Sequence, residues 1–350
     1  MTRITYDDLT PDFQFKYLTN NMDFSKDAKI DAICDHPWTS LNIDGQGRCF
    51  VCSCSEWLPI SVGNILEFDK LEDITNSPKA REIQSSILDK SYRYCALNIC
   101  NFPSRQKHAN NIVPKPKPYL LEISVDRSCN LTCPSCRNEF IYIKSGLEFD
   151  KRRLILNKLS ALINHYQHPL KICLFGDGDL FASELYSEFV SGLRFLNPNT
   201  EVMIRTNGLL IKNKWHIIER LEDNINNFQI SIDAFSKDVY ERVRQGGNFD
   251  RLLDNLDWLR DSKPDINVSF QYVVQAANLD DMLLARQFMD RYPGWRVNFT
   301  KVLNWNTWEN FEEHAVWKPE HPRYGDYLSH VRQVGNYNSR WIGSLNAINE

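Results

Sequence analysis

The 350-residue sequence predicts an α/β fold organised on a parallel sheet. Two observations predict it. Six short apolar runs, each about the length of a buried parallel strand, recur between residues 119 and 302, and the segments between them carry helical periodicity. A succession of β-α units of this kind is joined by right-handed crossovers, as a doubly wound sheet or as a barrel. Pattern alone leaves those two open.

Taken in order, the strands are expected at 119–125, 170–175, 201–205, 228–232, 267–274 and 296–302, all rich in Ile, Val and Phe. Between them, Ile155, Leu159, Leu162 and Ile163 fall at i, i+4, i+7 and i+8, and Leu252, Leu253, Leu256 and Leu259 share another helical face. Ahead of the first strand, Pro114-Lys115-Pro116-Lys117-Pro118 is stiff and cannot continue a helix or a central strand. It is read as a linker, 114–118, between a small N-terminal domain, 1–113, and a larger domain, 119–303, that is followed by an aromatic-rich extension, 304–350.

Bulk properties narrow the function classes. Hydrophobic residues at 42%, charged residues at 25% and a net charge of −4 are ordinary for a globular protein and give no basic footprint for nucleic acid. No apolar run reaches membrane-spanning length, and residues 1–13 are too polar for a signal peptide. A cytoplasmic protein without nucleic-acid or membrane partners is expected. In a reducing compartment, ten cysteines point to metal ligands or catalytic thiols rather than disulfides. Cys173, alone in an apolar run, reads as a small core hydrophobe.

Directly after the first expected strand comes Cys129-Asn130-Leu131-Thr132-Cys133-Pro134-Ser135-Cys136. Three thiolates on one loop at the C-terminal end of a parallel strand suit a soft metal or an iron–sulfur cluster. A closed cluster or a structural zinc takes four protein ligands. Three leave one metal position open, as catalysis requires; a zinc loop completed by a distant histidine is the alternative.

This Cys-x3-Cys-x2-Cys loop resembles that of the radical S-adenosylmethionine superfamily. The resemblance implies a [4Fe–4S] cluster on Cys129, Cys133 and Cys136 whose fourth iron chelates S-adenosylmethionine. Reductive cleavage then yields a 5′-deoxyadenosyl radical that abstracts hydrogen from substrate. Ser135 stands where the family often has an aromatic residue. After the second strand, Gly176-Asp177-Gly178-Asp179-Leu180 is similar to the family's Gly-Gly-Glu-Pro segment, with Asp179 for the glutamate and Leu180 for the proline. Thr206-Asn207-Gly208 follows the third strand, and Ser231-Ile232-Asp233-Ala234 with Tyr240 to Gly246 follows the fourth. Gly176, Gly178, Asp179, Thr206, Asn207, Ser231 and Asp233 are thereby implied as cofactor-binding residues. Arg244 is as well suited to anchoring a loop as to binding a carboxylate. The family fold, an open, partial (β/α)6 TIM-like barrel, is preferred to a doubly wound sheet, since such loops occupy strand C-terminal ends. The aromatics Trp305, Trp308, Phe311 and Trp317 are expected to pack on that barrel, residues 336–350 to be poorly ordered, and His314, His321 and His330 to have no acid–base role.

The N-terminal region carries Cys34, Cys49, Cys52, Cys54, Cys95 and Cys100. Their order resembles the auxiliary-cluster domain called SPASM, or its shorter twitch form, here preceding the radical domain instead of following it. The resemblance assigns Cys34, Cys52, Cys95 and Cys100 to one auxiliary [4Fe–4S] cluster, with Cys49 and Cys54 as alternates; a zinc ribbon is the competing reading. His36 reads as packing or as a donor behind the ligands. The expected activity is radical modification of a peptide or protein by oxidation, cross-linking or epimerisation, driven by a low-potential flavodoxin- or ferredoxin-type donor. Radical oxidation or epimerisation of a sugar or other small molecule is the first alternative, and a non-catalytic electron carrier or sensor the second.

Overall fold

The computed structural model of the chain describes residues 4–19, 22–24, 30, 32–100, 102, 115, 117–174, 176, 178–337 and 345. Its strands are β1 (Ser40–Asp44), β2 (Cys49–Phe50), β3 (Leu120–Ser124), β4 (Lys171–Leu174), β5 (Glu201–Thr206), β6 (Ile225–Ser231), β7 (Asn267–Val274) and β8 (Arg296–Lys301). The longer helices are α1 (Pro11–Thr19), α2 (Pro78–Leu88), α3 (Leu147–His165), α4 (Glu184–Gly192), α5 (Lys237–Val243), α6 (Phe249–Ser262) and α7 (Tyr324–Tyr337). Hydrogen bonding orders the strands β2-β1-β3-β4-β5-β6-β7-β8. The α/β class and the six expected strands are present, as β3 to β8.

The chain forms two compact units. The first comprises 1–126, 143–176 and 184–202. Within it β1 runs parallel to β3, β3 runs parallel to β4, and the short β2 returns antiparallel beside β1. Leu41, Ile43, Leu121, Ile123, Ile172 and Leu174 are buried in this sheet. On α3, Ile155, Leu159, Leu162 and Ile163 form the expected buried stripe, joined by Leu156. Helix α1 seats Phe13 edge-on against Phe50 at 5.6 Å. Arg48 ties the helix down, reaching Asp12 and Asp44 at 2.6 Å each.

Residues 114–118, read as a linker, lead directly into β3. The Lys117 N–H donates to the Trp38 carbonyl at 2.9 Å and the Tyr119 N–H to that of Thr39 at 2.7 Å, so the chain enters β3 already paired with the stretch leading into β1. Pro114 and Pro116 lie outside the described residues.

The second unit comprises 127–142, 177–183 and 203–350. Here β6, β7 and β8 are parallel, with Ser231 opposite Gln271 and Gln271 opposite Asn298. Alternation gives each strand two faces. Phe228, Ile230, Phe270, Tyr272, Val297 and Phe299 are buried on one, where Phe235, Phe288 and Tyr292 meet their rings. The other carries the half-buried Gln229, Ser231, Gln271 and Asn298. The Trp317 indole donates to the Val302 carbonyl at 3.1 Å, and Trp308 stacks on His314 with centroids 4.1 Å apart. Of 336–350, Asn336 and Tyr337 end α7 and Leu345 is buried; the others lie outside the described residues.

Candidate metal and cofactor centres

In the second unit, the loop bearing Cys129, Cys133 and Cys136 is held by its backbone. The Cys129 N–H donates to the Ile141 carbonyl at 3.0 Å and the Thr132 N–H to that of Gln245 at 3.0 Å. The N–H groups of Cys136 and Arg137 both fold back onto the Cys133 carbonyl, at 2.9 and 3.1 Å, in a single helical turn. Cys129 and Cys133 are buried, whereas Cys136 is exposed. Arg137 is itself buried; its guanidinium donates to the Arg127 carbonyl at 2.9 Å and reaches the Cys136 sulfur at 3.6 Å.

Asp179 is the hub beside this loop. Its carboxylate accepts from the Phe181 N–H (3.0 Å), the Thr206 hydroxyl (2.8 Å) and the Asn207 N–H (2.7 Å), and its own N–H donates to the Ser128 carbonyl at 2.8 Å. Asn207, so fixed, donates to Asn130 Oδ1 at 2.8 Å and approaches the Cys129 sulfur at 3.8 Å. The sequence implied direct cofactor contact for Asp179; here three of its roughly four acceptor positions serve protein donors. Asp233 is similar. It adopts φ 54°, accepts from the Val273 N–H at 2.8 Å and pairs with Arg244 at 3.0 Å, while Asn278 donates to its carbonyl at 2.8 Å. Ser231 ends β6, half-buried. Gly176 belongs to the first unit, with φ 126°, where a Cβ would lie 3.2 Å from the Ser124 Cα. Gly178 is half-buried, and Phe175 and Asp177 lie outside the described residues.

Burial dominates the electrostatics. It pushes the Cys133 thiol up to about 11 and raises that of Cys129, to which Asp179 adds. It also raises Asp179 and Asp233 above the usual carboxylate range, against the donors and Arg244 that face them. Arg244 is held above its ordinary value: burial opposes its charge, but the Cys133 sulfur and Asp233 outweigh it. A soft cationic group placed here therefore displaces protons from buried thiols. The three sulfurs suit a cluster with one uncovered iron, and the donor chemistry fits.

The first unit holds a second cysteine group. Cys34, Cys52, Cys95 and Cys100 line one cavity together with His36, Pro37, Trp57, Leu58, Ile87, Tyr92, Leu97 and Phe102. These four cysteines come from segments up to 66 residues apart in sequence. Cys49 and Cys54 do not line the cavity. Cys49 is buried in β2 with its sulfur 3.8 Å from the Gly47 carbonyl. His36 Nδ1 lies 3.2 Å from Ser53 Oγ and 3.8 Å from the Cys52 sulfur. Burial pushes the Cys52 thiol well above its usual value and Cys54 up to about 12. Among the described residues, no three His, Cys, Asp or Glu side chains meet closely enough for a single metal ion. A four-iron cube needs no such convergence, since it takes one thiolate at each iron.

Sequence reasoning passed over Arg137, Asn130, Asn278 and Tyr92. Only Arg137, next to Cys136, carried a readable signal: a charged residue buried in a ligand loop must have partners there.

Residues 123–289 match the family model of the radical SAM superfamily. Ahead of that stretch in sequence, residues 34–101 match the SPASM iron–sulfur cluster-binding domain. The radical SAM domain binds a [4Fe–4S] cluster and S-adenosylmethionine, and the SPASM domain an auxiliary iron–sulfur cluster. A GTP 3′,8-cyclase of Limosilactobacillus fermentum is 24% identical over 222 residues, covering 61% of this chain and 62% of that protein. One of Lactiplantibacillus plantarum is 26% identical over 140 residues, covering 39% and 40%. The chain thus spans less than two thirds of either relative. Among solved structures, anSMEcpe with bound AdoMet superposes with TM-score 0.46 at 16% identity, covering 64% of this chain and 60% of that one. Streptococcus suis SuiB bound to S-adenosylmethionine gives TM-score 0.42 at 14% identity, covering 88% and 70%. No helix among the described residues is long and apolar enough to cross a membrane.

Proposed function

We propose that this enzyme oxidises a peptide or protein at carbon, with the radical cluster on Cys129, Cys133 and Cys136 and the auxiliary cluster on Cys34, Cys52, Cys95 and Cys100. The observation that carries the reading is the four-cysteine cavity. Four thiolates cover every iron of a cube, so the auxiliary cluster has no open site for substrate and serves as an electron acceptor. The balance follows. A low-potential donor of the flavodoxin or ferredoxin type supplies one electron to cleave S-adenosylmethionine. The 5′-deoxyadenosyl radical takes a hydrogen atom from the substrate carbon, and the substrate radical loses a proton and returns one electron to the auxiliary cluster. The net result is a two-electron oxidation, completed as an unsaturation or a cross-link.

The polar face of β5 to β8 supports an amide substrate. Arg205 donates to Gln229 at 3.1 and 2.8 Å, and Asn298 to Gln271 at 3.0 Å, so carboxamides that both donate and accept dominate it. Such groups match peptide N–H and C=O. A nucleoside triphosphate, the substrate named for the curated relatives, calls for a cluster of cations; Gln229, Ser231, Gln271 and Asn298 are uncharged, and the guanidinium of Arg205 is already bonded to Gln229. Both readings predict 5′-deoxyadenosine from reconstituted, dithionite-reduced protein. Deuterium from a labelled peptide encoded beside the gene should appear in that product. Transfer from GTP deuterated at C3′ instead would move the substrate to the nucleotide class, and no 5′-deoxyadenosine despite full iron loading would sink the enzymatic reading.

A further inference from the structure

Tyr92 sits where the chain leaves α2 and turns toward Cys95 and Cys100. Its backbone has φ 48°, a left-handed conformation that a bulky L residue keeps only when its surroundings hold it there. Both its backbone and its phenol are hydrogen-bonded. The Tyr92 N–H donates to the Ser86 carbonyl at 2.9 Å, anchoring it to α2, and the Tyr92 carbonyl accepts from the Cys95 N–H at 2.9 Å. The buried phenol donates to the Ala32 carbonyl at 2.6 Å and accepts from the Cys34 N–H at 3.2 Å. Its ring lines the cavity and stacks on Phe102, with centroids 6.3 Å apart and planes at 25°. The Phe102 N–H in turn reaches the Cys100 sulfur at 3.4 Å. Segments bearing three of the four thiols are therefore tied to one residue, across 58 residues of sequence in the case of Cys34.

We propose that Tyr92 is the positioning residue of the auxiliary centre, fixing the spacing of Cys34, Cys95 and Cys100 before iron arrives and retaining the cluster afterwards. This rests on the reading that those cysteines, with Cys52, hold that cluster. Strain at Tyr92 is maintained because the unstrained alternative would release the Cys34 and Cys95 segments together.

The test uses full-length chain carrying C129A, C133A and C136A, in which iron reports on the auxiliary centre alone. That parent should bind ~4 iron per chain. Tyr92→Phe keeps the ring and deletes only the hydroxyl's bonds; it should release iron to a chelator roughly 10- to 100-fold faster, the range for partners behind metal ligands, with an altered spectrum of the reduced cluster. Tyr92→Leu, lacking ring and hydroxyl, should retain little iron. Iron release and spectrum unchanged in Tyr92→Phe, even with a lowered melting temperature, would overturn the proposal and leave Tyr92 a fold residue. A parent that binds no iron would overturn the ligand assignment and the proposal with it.

Discussion

The two cysteine centres are built from the same ligand and differ in nearly everything around it. The loop of Cys129, Cys133 and Cys136 offers three sulfurs, one of them exposed, within a polar shell of Asp179, Asn207, Asp233, Arg137 and Arg244. The cavity of Cys34, Cys52, Cys95 and Cys100 offers four, walled by Pro37, Trp57, Leu58, Ile87, Leu97 and Phe102. The first shell can neutralise added charge and admit a polar cofactor. The second is mostly apolar and, on the proposed reading, leaves no ligand position vacant. On the proposed reading that difference is a division of labour, one centre delivering an electron into bound cofactor and the other receiving one from substrate.

Separate inactivation is the strongest way to break that division. Cys129→Ala should reduce 5′-deoxyadenosine formation to background while about half of the iron, on the order of 4 per chain, remains. Cys95→Ala should lose the other half and still cleave S-adenosylmethionine, but turn over no substrate. Iron analysis and product chromatography on the two variants check both arms. If Cys95→Ala still oxidised substrate fully, the auxiliary centre would not be the electron acceptor.

A smaller effect tests the shells. Arg137 touches the Cys136 sulfur, and Arg244 faces Cys133 from its pair with Asp233. Reduction adds negative charge to a cluster that three thiolates already make anionic, so nearby guanidinium groups stabilise the reduced form and raise its potential. Neutralising either, as Arg137→Gln or Arg244→Gln, should lower the radical cluster's midpoint by on the order of 50 mV; ~59 mV is a tenfold change in a one-electron equilibrium. Arg137→Lys should recover part of the shift. The auxiliary midpoint should not move in any of them. Spectroelectrochemical titration reads both, and equal shifts at the two centres would mean that a global change, not the local charge, was responsible.

Much of this was legible in the sequence, for reasons specific to each part. Strands β3 to β8 showed because they are short apolar runs in a regular α/β alternation, and the ligand loop because its spacing is local. Strand β1 did not show, although Asp44-Gly45-Gln46-Gly47 after Leu41 and Ile43 is a hairpin signal. Its parallel pairing with β3, some eighty residues on, is a non-local contact that no window contains. The carboxylates of Asp179 and Asp233 were visible as residues, but not the donors that occupy them, because Thr206, Asn207 and Arg244 arrive from other strands and loops. Tyr92 and its φ 48° left no trace in the sequence. An ordinary tyrosine four residues past a helix end carries no mark of what its hydroxyl will reach.

The finest distinction lies among the six N-terminal cysteines. Spacing alone left Cys49 and Cys54 as alternates to Cys52, because three sulfurs within six residues look equivalent in sequence. Strand geometry separates them. Cys49 is in β2, opposite Ile43 across the antiparallel pair, fully buried, with its sulfur toward the Gly47 carbonyl and its thiol raised by burial and then by Asp44. It behaves as a small core hydrophobe with a weak donor. Cys49→Ser should therefore leave auxiliary iron and its spectrum unchanged and cost only about 1 kcal/mol of stability, since the hydroxyl inherits one acceptor in an otherwise apolar place. Cys52→Ser, three residues on, should lose the auxiliary iron. Chemical denaturation with parallel iron analysis separates the two, and iron lost from Cys49→Ser would return Cys49 to the ligand set and displace one of the four cavity sulfurs.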